Sequence, residues 1–201
     1  MTVLFCTIWG FFLGSIPFSY LVGRLIAQAD IRRFGDGNPG AINAWRAGGW
    51  PAGIPATLLD FLKGAMPVGV ARIVMSVSGW GLFPVALAPV VGHAFSPFLR
   101  LRGGKGIAAT FGAWAGLTLA EGPMALGVSM SVFYAGQTSD AWSVILGMVG
   151  FLGYLLLRGS DPGMLAIWGG HFLLLSWKHR RELRERPRPR PFLKRLLGGR
   201  R

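Results

Sequence analysis

Gly103-Gly104-Lys105-Gly106 is a loop suited to an anion. Glycine backbone N–H groups can approach an anion closely, and a lysine among them adds a point charge for phosphate. A second segment, Gly35-Asp36-Gly37-Asn38-Pro39-Gly40, continues through Asn43 to Arg46. Its three glycines and proline can form an anion nest. Asn38 and Asn43 add neutral donors, and Arg46 can hold a phosphate through two parallel hydrogen bonds. His93 precedes Gly103 by ten residues and is the candidate for proton transfer or hydrogen bonding. Each feature also has a plainer explanation: a polar loop between helices, or a hydrogen-bonded core histidine. The lysine loop lacks the G-x-x-x-x-G-K-[ST] spacing and a preceding strand, which disfavours nucleotide hydrolysis.

The elements that carry these loops are hydrophobic. Of 201 residues, 52% are apolar and only 14% charged, against about a quarter in soluble domains, so the chain reads as an all-α, polytopic membrane protein. Seven apolar runs are predicted: Val3–Gly23, Pro51–Ala71, Ile73–Leu99 with a turn near Ser78–Gly81, Ile107–Ala120, Pro123–Ser139, Ala141–Leu157 and Pro162–Trp177. Turn residues at Glu121-Gly122-Pro123, Thr138-Ser139-Asp140 and Arg158–Gly163 separate the later ones. Two or three of these runs lie at or below the ~17 residues needed to span, which leaves a re-entrant segment open. Placing the first, third and fifth loops and the tail inside collects 18 of the 21 Lys and Arg, so the N-terminus is expected outside and the C-terminus inside. Both glycine-rich segments then face the cytoplasm.

Eleven of those cations follow Trp177, in a Pro-rich tail. Behind a hydrophobic body such a tail points to anionic lipid rather than to nucleic acid. Cys6 alone offers neither a disulfide nor a metal framework, and no cofactor is called for. The first run lacks a basic leader and is expected to be a retained helix. Asp60 and Lys63, three residues apart on the second helix, read as a structural ion pair near the inner third of the bundle. Glu182 and Glu185 read as charge partners on a solvated helix, and Tyr154 and His171 as packing or interhelical hydrogen-bonding residues.

These patterns, in order, resemble the bacterial acyl-phosphate:glycerol-3-phosphate acyltransferases, the PlsY family. The matching residues are Gly14-Ser-Ile-Pro-Phe-Ser-Tyr-Leu, G-x-G-N-P-G-A-x-N-x-x-R from Gly35 to Arg46, Asp60-x-x-Lys63-Gly, and G-H-x-F-S-P-F-L followed by G-G-K-G from Gly92 to Gly106. They span roughly the first 112 residues. The resemblance implies a seven-helix, N-out, C-in enzyme of a bacterial inner membrane. It would transfer an acyl group from acyl phosphate to the 1-hydroxyl of glycerol 3-phosphate, giving lysophosphatidic acid for phospholipid synthesis. It also implies a membrane-embedded acyltransferase domain over residues 1–177, a basic tail over 178–201, and membrane lipid as surroundings. Oligomeric state is left open.

Some positions depart from the family pattern. Asp36 stands where the family usually has Ser, and Ile42 where it has a small hydroxyl residue. Thr138–Ser143 is a loose match to a Ser-rich stretch. His179-Arg180-Arg181-Glu182-Leu183 has Glu182 in place of the family's Asn. A carboxylate at position 36 repels phosphate unless a neighbouring cation, expected to be an Arg, neutralises it.

Acyl phosphate is already activated, so its transfer needs no covalent nucleophile. It needs two anionic molecules held together and an oxyanion stabilised. On this reading His93, Lys105 and Asn38 are the catalytic candidates, and Gly35, Asp36, Gly37, Gly40, Asn43, Arg46, Gly103, Gly104 and Gly106 form the substrate site. No His-x4-Asp box is present. The alternatives are a silent or altered-acceptor relative, or a membrane carrier for an anionic solute, which would call for internal repeats and polar groups at the midplane.

Overall fold

The computed structural model describes residues 1–191. These form eight α-helices and no strand: α1 (Thr2–Ser15), α2 (Phe18–Leu25), α3 (Ala41–Gly69), α4 (Leu82–Ala94), α5 (Ile107–Thr118), α6 (Glu121–Gly136), α7 (Asp140–Leu157) and α8 (Pro162–His179). Four helical stretches are long and apolar enough to cross a membrane: Thr2–Leu25, Ala41–Val74, Gly79–Leu99 and Asp140–Leu157. Residues Met1–Pro123 form one compact unit, and a second begins at Met124. Both glycine loops belong to the first.

The first apolar run is two helices, where the sequence predicts one. Pro17 has no N–H to donate, and the residue before a proline is pushed to extended backbone. Ile16 accordingly takes φ −60°, ψ 122° and ends α1. The second run starts at Ala41, ten residues earlier than predicted, with a kink at Gly48–Gly49, and passes into a π-helical turn over Val70–Val74. In the third run a short 3-10 turn at Gly79–Gly81 precedes α4, close to where the turn was expected. Glu182–Arg184 is a single 3-10 turn and not a solvated helix.

Small residues bring the first unit's helices into backbone contact. A Cβ on Gly14 of α1 would lie 2.2 Å from the Pro89 carbonyl oxygen of α4, and one on Gly92 of α4 would lie 2.2 Å from the Phe11 carbonyl oxygen of α1. Between α3 and α5, a Cβ on Gly112 would lie 1.9 Å from the Phe61 carbonyl oxygen. Close approach of this kind is how helices associate where lipid removes the hydrophobic drive. It holds together the helices α3, α4 and α5, whose ends carry the two loops. In the second unit, Ser129 Oγ donates to the Gly147 carbonyl at 2.8 Å and Trp168 Nε1 to the Met148 carbonyl at 2.8 Å.

Candidate functional site

The lysine loop is seated on the end of α4. After Ala94 the chain makes a 3-10 turn at Pro97–Leu99, and Arg100 and Leu101 are left-handed. It then returns so that the Gly104 N–H donates to the His93 carbonyl at 3.1 Å. A Cβ on Gly103 would lie 1.9 Å from that carbonyl oxygen, and one on Gly104 would lie 2.1 Å from His93 Nε2. These two positions must be glycine for the loop to lie against the histidine. Gly106 then N-caps α5, which puts Lys105 beside the positive end of a helix dipole.

The other loop is set up by Asp30, whose carboxylate accepts the Arg32 N–H and pairs with Arg32 at 2.7 Å and Arg24 at 3.3 Å. Hydrogen bonding from Arg32 holds the Asp30 carboxyl below the usual range, against the effect of burial. Gly35 and Gly37, at φ +54° and +75°, flank Asp36 with left-handed backbone. The Asp36 carboxylate accepts from the Asn38 N–H at 3.1 Å and from Asn43 Nδ2 at 2.9 Å. Asn43 Nδ2 also donates to the Asn38 carbonyl at 2.9 Å, and Arg46 donates to Asn43 Oδ1 at 3.1 Å. A Cβ on Gly40 would lie 2.8 Å from Asn38 Nδ2, so this glycine lets the asparagine fold back.

Lys105 Nζ lies 2.7 Å from Asp36 Oδ2 and joins the two loops. The cation that neutralises Asp36 is therefore this lysine, where an arginine was expected. Arg46 sits on Asn43 instead. Partial burial pushes the Asp36 carboxyl up, but the bonds from Lys105, Asn38 and Asn43 outweigh it and hold it below its ordinary value. Of the residues expected at the site, Asp36, Asn38, Asn43, Arg46 and Lys105 share this one network, Gly35 and Gly40 lie against its Arg46 and Asn38 side chains, and Gly103 and Gly104 pack on His93.

Beneath the loops is a second polar cluster. Asp60 and Lys63 are 1% and 2% exposed, with Lys63 Nζ 2.7 Å from Asp60 Oδ1. Lys63 also donates to the Ile16 carbonyl at 2.8 Å, at the break before Pro17. Ser19 Oγ donates to the other Asp60 oxygen, and His93 Nδ1 lies 3.8 Å from Asp60 Oδ1. Nearby, Ser96 Oγ donates to the Ser15 carbonyl at 2.6 Å and ties the start of the lysine loop to α1. The sequence reading missed Ser15, Ser19 and Ser96 as site supports. Ser19 and Ser96 reach another segment through their hydroxyls, the usual role of a serine in an apolar stretch, whereas Ser15 spends its hydroxyl on the Phe11 carbonyl of its own helix and contributes its backbone carbonyl. Among the described residues, no three His, Cys, Asp or Glu side chains gather as a metal site would need.

An apolar groove of about 380 Å³ runs between α1 and α4, lined by Thr7, Ile8, Phe11, Phe12, Pro84, Leu87, Ala88 and Val91.

A family model described as glycerol-3-phosphate acyltransferase matches residues 4–186. The chain is 39% identical over 188 residues to glycerol-3-phosphate acyltransferase 1 of Thermotoga maritima, covering 87% of this chain and 92% of that one. A glycerol-3-phosphate acyltransferase of Thermus thermophilus is 38% identical over 174 residues, covering 87% and 86%. Two crystal structures of PlsY (YgiH), an integral membrane glycerol 3-phosphate acyltransferase, are also similar. The glycerol 3-phosphate form has a TM-score of 0.85 at 26% identity, over 98% of this chain and 99% of that one. The lysophosphatidic acid form has a TM-score of 0.83 at 26% identity, over 98% and 100%.

Proposed function

The chain belongs to the glycerol-3-phosphate acyltransferase family, and we infer that it transfers a fatty acyl group from acyl phosphate to the 1-hydroxyl of glycerol 3-phosphate. The product is lysophosphatidic acid, the starting point of phospholipid synthesis. The observation that carries this reading is the convergence of Lys105, Asn43 and the Asn38 N–H on one carboxylate. Donors from two loops that meet on one anion can also meet on a phosphate.

Lys105 and Arg46 bind phosphate, and Asn38 and Asn43 position it. The Gly103–Gly106 backbone contacts phosphate or the oxyanion. The acceptor hydroxyl attacks the acyl carbon and a new C–O bond forms. The bond from that carbon to the phosphate oxygen then breaks, and inorganic phosphate leaves with the electron pair. The hydroxyl proton passes to His93, whose Nε2 abuts Gly104, or to a phosphate oxygen. The acyl chain lies in the apolar groove between α1 and α4, the helix whose last turn carries His93.

The setting is a multi-pass protein of a bacterial inner (plasma) membrane with seven crossings, N-terminus out and C-terminus in. Crossings by α5, α6 and α8 complete the four long apolar stretches. The confinement of 18 of 21 cations to one side supports this orientation and a cytoplasmic site. Residues 1–177 form the acyltransferase domain, and the 178–201 tail meets anionic lipid; residues 192–201 lie outside the described residues. Purified protein given palmitoyl phosphate and labelled glycerol 3-phosphate is expected to form labelled lysophosphatidic acid. Absence of that product at all donor concentrations would contradict the reading.

A further inference from the structure

Asp36 has the surroundings of a bound anion. Its carboxylate receives one ammonium, one side-chain amide and one backbone N–H, at 2.7, 2.9 and 3.1 Å, from Lys105, Asn43 and Asn38. These are the donors to which phosphate binding is assigned above. A carboxylate and a phosphate oxygen make the same demands on such a cradle: negative charge, and lone pairs open to several N–H groups. Both cannot hold Lys105 fully, because two anions at one cation repel each other.

The pair is also placed to exchange. Lys105 and Asp36 side chains are 20% and 36% exposed, so water can take over the carboxylate as it leaves. Asp36 is carried on a turn between two left-handed glycines. A partly exposed ion pair keeps enough contact with water for a ligand to break it.

We propose that Asp36 is a built-in competitor for phosphate: it occupies Lys105 in the empty site, and a substrate's phosphate must displace it. This inference rests on the assignment of Lys105 to phosphate binding. Asp36 thereby sets the affinity of the site for the phosphate group shared by acyl phosphate and glycerol 3-phosphate, and weakens it relative to a neutral side chain at this position.

The test compares the purified full-length protein with Asp36→Asn and Asp36→Ser. Asparagine keeps an oxygen for the Asn38 and Asn43 donors but removes the charge that holds Lys105, so it separates charge from loop structure. Inorganic phosphate is titrated calorimetrically against each protein. The KM of each substrate is also measured with the other saturating. Asp36→Asn is expected to tighten inorganic phosphate about fivefold and to lower at least one substrate KM by a similar factor. A fall for glycerol 3-phosphate alone places the acceptor's phosphate at Lys105, and a fall for acyl phosphate alone places the donor's there. Unchanged or weaker phosphate binding in both variants overturns the proposal. If the parent protein forms no lysophosphatidic acid, the acyltransferase reading fails, and the calorimetric comparison still decides whether Asp36 competes with phosphate.

Discussion

Two Asp–Lys pairs among the described residues share the same 2.7 Å separation and have opposite surroundings. Asp60–Lys63 is 2% and 1% exposed at the side chains, on one helix, and shares its atoms with Ser19 and the Ile16 carbonyl. Asp36–Lys105 is 36% and 20% exposed and joins two loops. Distance alone would rank them equal. Burial separates them, because two charges removed from water depend on each other while two wet charges can trade partners. The buried pair is therefore architecture. It pins α3 to the break between α1 and α2 and presents a carboxylate to His93. The wet pair is an exchange site.

Single substitutions should break this comparison most sharply at the buried pair. Asp60→Asn leaves Lys63 buried without its counter-ion and is expected to cost about 3–5 kcal/mol, read as a lowered thermal midpoint in detergent. Replacing both, as Asp60→Leu with Lys63→Met, should recover much of that loss. A single variant as stable as the parent would show that the pair is not structural.

At the wet pair the loss should appear in turnover and not in folding. Lys105→Ala is expected to lower activity by about 10²-fold or more, with a stability change of about 1 kcal/mol at most. Near-normal turnover in the purified variant would end its assignment. Gly104→Ala tests the join between the two regions, since its methyl would meet His93 Nε2 at 2.1 Å. A displacement of that kind is expected to cost about tenfold to a hundredfold in kcat/KM. Ala88→Phe narrows the groove and should penalise palmitoyl phosphate over octanoyl phosphate by about tenfold, measured as a ratio of kcat/KM.

The smallest effect concerns pH. The Asp36 carboxyl is held below its ordinary value, so its pairing is fully present above the usual carboxylate range and is lost only as pH falls through the depressed one. Phosphate affinity should then gain no pH dependence from Asp36 between about pH 6 and 8. An Asp36→Asn variant that removed a pH dependence in that window would contradict this.

Much of the fold was legible because apolar runs and turn residues mark helices directly. The break at Ile16–Pro17 was not, since the run stays apolar through it, and the early start of α3 was hidden by a segment rich in Gly and Asn. Both loops could be read from glycine, asparagine and lysine spacing. What local sequence does not encode is which distant side chains meet. Asp60 is 33 residues from His93 and 41 from Ser19, and the packing of α2 and α4 against α3 brings them together. The partner of Asp36 was misjudged for the same reason: Arg46 is nearer in sequence, but the return of the chain onto His93 places Lys105 nearer in space.

The most direct measurement is a donor comparison with product and phosphate counted together. Purified protein receives glycerol 3-phosphate with either palmitoyl phosphate or palmitoyl-CoA. The account predicts lysophosphatidic acid from palmitoyl phosphate alone, with one inorganic phosphate released per product. Product from palmitoyl-CoA alone, or none from either donor, would contradict it.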